Sequence, residues 1–198
     1  MKLLRGIARE FVGWIELFVT FYPDTRIGLE LRKAYYARKM KGRLGRNARI
    51  SRGCIIYVAA PLEIGDNFVI GSYAVVAPND SFGIIIGNNV GIAERAYIRG
   101  GNHDYSDPAR PIMEQGHVAR KITDERRRDA SIIIGDDVWI GAGCFILSGA
   151  KIGRGAVIGA GSVVATAIPE YAIALGNPVR VVASRKVMSF SKKYQRFP

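Results

Sequence analysis

His103 and His117 are the only histidines in this 198-residue chain. Imidazole titrates near neutral pH, so a placed histidine can take a proton from a hydroxyl or an amine without a metal. His103 stands in the run Gly101-Asn102-His103-Asp104-Tyr105 and is the natural general base of the chain. Without further context, a lone loop histidine reads equally as a structural or exposed group. His117 follows in the same stretch, where it could contact a substrate or face water. The two thiols are Cys54 and Cys144, each four residues after an isoleucine, Ile50 and Ile140. That position is expected to be buried, so both read as packing groups and not as nucleophiles or a disulfide. A reducing compartment fits that usage. No CxxC or HExxH spacing is present, so no protein-bound metal is expected.

The elements that must position these residues are set by a period of six. Ile134, Ile140, Ile146, Ile152, Ile158 and Val164 recur at that spacing, with Val138, Cys144, Ala150, Ala156 and Ser162 four residues after an aliphatic. A helix repeats near 3.6 and a simple strand at 2, so a period of six points to a solenoid of stacked short strands. The aliphatic and the small residue face inward, three units close one coil, and stacked coils form parallel sheets around one core. The pattern starts at Leu44, Ile50 and Ile56, with Ala48, Cys54 and Ala60 inside. Pro61 shifts it by two residues, and it restarts at Ile64, Ile70 and Val76, with Phe68 and Ala74 inside. Asp80 then falls on an inward position, where a carboxylate is costly, so a departure is expected around Pro78–Phe82. After Ile86, Ile92 and Ile98 the repeat stops, and it returns in phase at Ile134, thirty-six residues later. A long insertion at 99–131 in so regular a scaffold marks function. Within it, Arg126–Arg128 could line a polar crevice or face water.

Three regions follow: a basic helical segment over 1–43, the solenoid over 44–183 with its insertion, and a basic tail over 184–198. The chain is 48% hydrophobic and 23% charged, as in globular proteins, and its net charge of +12 favours anionic partners. Leu3, Leu4, Ile7, Phe11, Ile15 and Phe18 recur at helical spacing, with Lys2, Arg5 and Arg9 on another side. The apolar run from Phe11 to Tyr22 contains Glu16 and is too short for a transmembrane helix. No cleavage site follows it, so no signal peptide is expected. Two placements fit: a helix lying in a membrane interface, or one packed on the solenoid or another subunit. A second helix is expected over 25–42. From Arg32 to Arg52 there are nine Lys or Arg and no Asp or Glu, a run that suits anionic headgroups or plain solvation. No nucleic-acid-binding motif accompanies the charge, and no nucleic-acid partner is expected.

The repeat, the long loop opening on a histidine, Val138-Trp139-Ile140-Gly141, Gly159-Ala160-Gly161-Ser162-Val163-Val164 and Gly176-Asn177-Pro178 occur in one order. Over 44–183 this set resembles the hexapeptide-repeat acyltransferases, in the branch of the maltose and galactoside O-acetyltransferases and the polysaccharide O-acetyltransferases. The resemblance implies an all-β fold, a left-handed parallel β-helix, against the usual right-handed crossover rule. It implies a homotrimer with acetyl-CoA in the clefts between shafts. His103 would be the base that deprotonates a sugar hydroxyl as its oxygen attacks the thioester, with no covalent enzyme intermediate. A backbone N–H near Gly141 and Ala142 would stabilise the oxyanion. Trp139, Ala142, Gly159, Ala160, Thr166 and Arg180 map to cofactor positions, and Asn79, Asp80, Asn102, Tyr105 and His117 to acceptor contacts. The chain departs from the family at Ala165-Thr166-Ala167, where many relatives carry Thr-Lys-Asp, in its longer insertion and in its N-terminal segment. The implied function is acetyl-CoA-dependent O-acetylation of a saccharide hydroxyl in surface-polysaccharide or other glycan assembly. An N-acetyltransferase for a nucleotide-linked amino sugar and a non-catalytic β-helix scaffold are the alternatives. The expected location is cytoplasmic or peripheral at the inner face of the membrane.

Overall fold

The computed structural model describes residues 2–41, 43–58, 60–79 and 81–187, with side chains described from Glu10 on. Asp80 and the last eleven residues of the expected tail lie outside the described residues.

The period of six builds a three-sided shaft. The first face stacks Arg49–Ile50, Val69–Ile70, Gly91–Ile92, Trp139–Ile140, Val157–Ile158 and Ala172–Leu175. The second stacks Ile55–Ile56, Val75–Ala77, Tyr97–Arg99, Phe145–Leu147 and Val163–Val164. The third stacks Leu62–Ile64, Ile84–Ile86, Ile132–Ile134, Lys151–Ile152 and Ala167–Ile168. All of these pairings are parallel, and the fold is a left-handed parallel β-helix.

Register explains why the repeat must be kept. Each repeat aliphatic pairs with the one a coil above: Ile70 with Ile92, Ile92 with Ile140, Ile140 with Ile158. On the second face Val76, Ile98, Ile146 and Val164 do the same. These side chains and the small residues between them, Cys54 and Cys144 included, are buried in one continuous core. Truncating such an isoleucine to alanine costs about 2–5 kcal/mol. Corners between the third and first faces place Asn47, Asn67, Asn89 and Asp137 at positive φ, a conformation that Asn and Asp tolerate. The asparagine amides then bond along the shaft, Asn47 to Asn67 at 3.0 Å and Asn67 to Asn89 at 2.8 Å.

The insertion leaves the shaft after Tyr97–Arg99, and Ile132–Ile134 re-enters directly on Ile84–Ile86. It is not structureless. It contains two short antiparallel pairs, Asn102–His103 with His117–Val118 and Ile122–Thr123 with Asp129–Ala130, and a 3-10 turn at Ile112–Glu114. At the other end of the sequence, Arg180–Ser184 folds back antiparallel on Ala172–Leu175 and ends the shaft as a hairpin, not as a further coil.

Two helices, α1 (Lys2–Phe21) and α2 (Arg26–Met40), precede the first coil. Thr25 caps α2 by accepting from the Gly28 N–H at 3.2 Å. A side chain at Gly28 would strike the Pro23 carbonyl at 2.0 Å, so the turn between the helices needs glycine there. Tyr36 and Met40 of α2 are buried against the first coil, with the Tyr36 hydroxyl donating to the Cys54 carbonyl at 3.1 Å. α1 is tied to α2 by a Lys39–Glu16 ion pair of 2.8 Å and to the first coil by the Gly53 N–H donating to the Thr20 carbonyl at 2.7 Å, with Val19 and Thr20 buried. Among the described residues, no helix is long and apolar enough to cross a membrane.

Candidate functional site

His103 is held at the edge between the second and third faces. Its strand pairs with His117, residue against residue, and the two imidazoles lie with centroids 4.5 Å apart and planes 34° from parallel. The Asp104 N–H donates to the Gly116 carbonyl, which closes the base of the loop. Gln115 fixes the turn between them, accepting from the Asp107 N–H at 3.0 Å and donating to the Asp107 and Arg110 carbonyls at 2.9 and 2.8 Å. Below, Arg99 donates to the Gly101 carbonyl and to the Tyr97 hydroxyl. At the loop exit the Arg120 N–H donates to Ser148 Oγ at 2.7 Å, tying the insertion to the next coil. His103 is half-buried, while Asn102, Tyr105 and His117 around it are exposed. Asn79 is exposed on the same edge, where its strand's Ala77 carbonyl accepts from the Gly100 N–H as the insertion departs. Four of the five expected acceptor positions therefore gather on one edge with His103; Asp80 lies outside the described residues.

Gly141, Ala142, Gly159 and Ala160 sit elsewhere, at the edge between the first and second faces. Successive coils are locked there by Gly143 N–H to the Glu94 carbonyl and Gly161 N–H to the Ala142 carbonyl, both 2.9 Å. Among the described residues the Ala142 and Ala160 N–H groups have no acceptor, and both residues are exposed. They form two open donors, one coil apart. Farther down the same edge the equivalent donor at Arg52 is closed by the Asp24 carboxylate at 2.8 Å. Next to this edge Trp139 stands outward on the first face, half exposed, and lies over Gly91. A Cβ at Gly91 would meet the indole at 2.7 Å, so the flat approach requires glycine. Val69, Val157 and Ile173 complete a groove there, closed on one side by Asp137 and Arg185, which are paired at 3.0 Å.

Not all expected cofactor positions meet in one chain. Thr166 is exposed after Val163–Val164, on the edge of His103, with the second face between it and Ala160. Arg180 is exposed on the closing hairpin of the first face, in the sheet of Trp139. His103 and Trp139 are thus on opposite sides of the second face. Arg128 pairs with Asp124 and Glu63, which binds the second hairpin of the insertion to the third face, while Arg126 lines the polar groove beside it. Both thiols are free and buried in the core. Burial pushes Cys54 up to about 11 and raises Cys144 as well, and the Cys144 thiol donates to the Gly159 carbonyl at 3.1 Å. The stacking of His117 on His103 and the clearance at Gly91 escape a reading of spacing, since both partners are joined only through the long insertion.

Residues 131–166 match the family model for the bacterial transferase hexapeptide (six repeats), and residues 61–93 that for the hexapeptide repeat of succinyl-transferase. The chain is 36% identical over 135 residues to the probable acetyltransferase Rv3034c of Mycobacterium tuberculosis, covering 68% of this chain and 41% of that protein. It therefore spans less than half the length of that relative. A maltose O-acetyltransferase from Clostridium difficile 630 superposes with a TM-score of 0.65 at 27% identity, over 89% of this chain and 85% of that one. AntD, an N-acyltransferase from Bacillus cereus solved with dTDP and 3-hydroxybutyryl-CoA, shares the fold with a TM-score of 0.57 at 23% identity, over 77% and 78% of the two chains. Repeat, register and relatives agree: the chain belongs to the hexapeptide-repeat transferases, the left-handed β-helix family.

Proposed function

We propose that the chain is an acetyl-CoA-dependent O-acetyltransferase for a saccharide hydroxyl, with its active sites between copies of the chain in a homotrimer. The observation that carries the reading is the pair of open N–H donors at Ala142 and Ala160 beside an outward Trp139. The Ala160 N–H suits an amide carbonyl of a pantetheine arm, the Ala142 N–H is left for the thioester oxygen, and the indole gives the arm an apolar wall. Arg180 stands three strand spacings along the sheet, about 14 Å from Trp139, where the anionic end of a long cofactor would reach it. The cofactor chemistry of the related transferases supports the same assignment.

The subunit arrangement is supported by which faces are apolar. The first face presents Val69, Trp139, Val157 and Ile173 outward, and the second presents Ile55, Tyr97 and Phe145. The third presents Glu63, Ile85, Ile133 and Lys151, and the second hairpin of the insertion is tied across this row by Arg128 on Glu63 and by Lys151 Nζ donating to the Thr123 carbonyl, so this face is already engaged within the chain. A contact of one copy's first face with another's second is heterologous, and with a threefold rotation it closes as a ring of three. It would bring His103 of one copy toward Trp139 and Ala142 of the next, which a single chain keeps apart.

In that site the neutral His103 imidazole takes the hydroxyl proton as the acceptor oxygen bonds to the thioester carbonyl carbon. The Ala142 N–H donates to the resulting oxyanion. As the C–S bond breaks, the imidazolium returns its proton to the departing thiolate, so ester and free CoA leave with the enzyme unchanged. Both cysteines stay protonated throughout. A panel of glycans and amino sugars with acetyl-CoA, read by thiol release and product mass, tests the assignment. Mild alkali cleaves an O-acetyl product and spares an N-acetyl one. His103→Ala should lower kcat by about 100- to 10,000-fold. A His103→Ala protein with the wild-type rate refutes the mechanism, and a wild type that binds no CoA supports the scaffold alternative instead.

A further inference from the structure

The outer face of the helical cap has no partner in the chain. α1 meets the body through Glu16, Val19 and Thr20. Phe11, Trp14, Phe18 and Phe21 recur at three- and four-residue steps on the other side, and they are 67%, 67%, 59% and 50% exposed. Ile27 and Leu31 of α2, also exposed, continue the apolar surface. Farther along α2 comes Arg38, and Lys41 follows as its C-cap, both exposed. Glu10 lies at the edge of the stripe, and Glu30 is matched by Lys33 at 3.1 Å. Four exposed aromatics on about three turns of one helix exceed what a solvated surface carries by chance.

Charge decides between occupants. The cap exposes Arg26, Arg38 and Lys41, and Arg49 and Arg52 are exposed just beyond it, in a chain of net charge +12, while Arg32 of the same stretch is buried and Lys39 is paired with Glu16. A second copy seated on the stripe would bring the same cations against these, whereas an anionic bilayer satisfies both the rings and the charges. We propose that this cap docks on an anionic lipid surface. Phe11, Trp14, Phe18 and Phe21 enter at headgroup depth with α1 lying in the interface, and Arg38 and Lys41 meet lipid phosphates. The proposal goes beyond acetyl transfer and does not depend on it.

The test is co-sedimentation of the full chain with phosphatidylcholine vesicles, with and without phosphatidylglycerol, at low and high salt. Binding is expected only with phosphatidylglycerol and falls as salt rises. Arg38→Gln/Lys41→Gln should weaken it by about 25-fold, at about fivefold per charge. Trp14→Ser/Phe18→Ser should weaken it by at least about tenfold. All four side chains are exposed or outward, so the melting temperature should not move; the charge variant serves as the second test if the aromatic one does not fold. The proposal is overturned if the full chain ignores phosphatidylglycerol vesicles, or if both variants bind as the wild type does. It is also overturned if the aromatic variant leaves vesicle binding intact and lowers the assembly mass, which would make the stripe a subunit contact.

Discussion

Replacing Asp24 by alanine removes the carboxylate partner of a guanidinium with no access to solvent. Arg32 is 0% exposed. Its Nε donates to the Ile50 carbonyl and one Nη to the Tyr22 carbonyl, each at 2.6 Å, and the other Nη pairs with Asp24. Asp24 also accepts from the Arg52 N–H at 2.8 Å and, more weakly, from Ser72 Oγ at 3.4 Å. The cluster joins both helices to the first coils. Breaking a buried pair by deleting one member costs about 3–5 kcal/mol. Here the Asp24 side chain is 35% exposed and Arg32 keeps its carbonyl acceptors, so water can reach the vacated Nη. The expected cost falls at or just below that range, about 2–3 kcal/mol. For a chain of this size that is a fall in Tm of about 4–12 °C. Thermal melts at fixed protein concentration measure it, with Arg32→Met and the double variant completing a cycle. Arg32→Met with Asp24→Ala should cost less than the sum of the singles, because no charge is left buried. An Asp24→Ala protein that melts within about 1 °C of wild type, or a cycle with no coupling, refutes the view that this pair anchors the cap.

Other outcomes follow from the same geometry. Gly91→Ala places a methyl 2.7 Å from the Trp139 ring and should tilt the indole out of its groove, weakening CoA binding by about tenfold; calorimetry and Trp fluorescence read it, and unchanged affinity contradicts the cofactor wall. With Cys54 pushed up to about 11 and Cys144 also raised, neither thiol should react with iodoacetamide in the native protein at mildly alkaline pH. Both should react once denatured, and mass spectrometry of native labelling decides the point. The second hairpin of the insertion should loosen in acid. The Arg128 N–H holds Asp124 below its usual 3.8 and Lys121 holds Asp129 below it, so their contribution is present above that pH and is lost as pH falls through the lowered folded values. Hydrogen exchange over 122–130 should then rise while the coils stay protected, and equal protection at both pH values contradicts it.

What was legible in the sequence is what the period controls. Inward positions, buried cysteines, the point where the insertion leaves and its in-phase return all follow from pairing each aliphatic with the next coil. The asparagines at the corners fit too, since positive φ selects them, yet Tyr73, Arg95 and Tyr171 adopt the same conformation without that signal. Arg32 was hidden in a run of like charges that reads as solvated; its partner Asp24 lies eight residues earlier, across the Thr25 cap. The pairing of His103 with His117 was hidden for a different reason. Its strands are two residues long, too short to show alternation, and only the Gln115 turn brings them into register. A period of six also says which side chains point outward without saying what they meet. The outward residues Trp139 on the first face and Phe145 on the second are 50% and 47% exposed in one chain, and the ring beside His103 is that of His117. The base, the open N–H donors and the indole become one site only if the first face of one copy covers the second face of the next. His103 can therefore be singled out as a candidate base from one chain's residues, whereas the proposed cleft needs a second copy and enters the sequence reading only through the family resemblance.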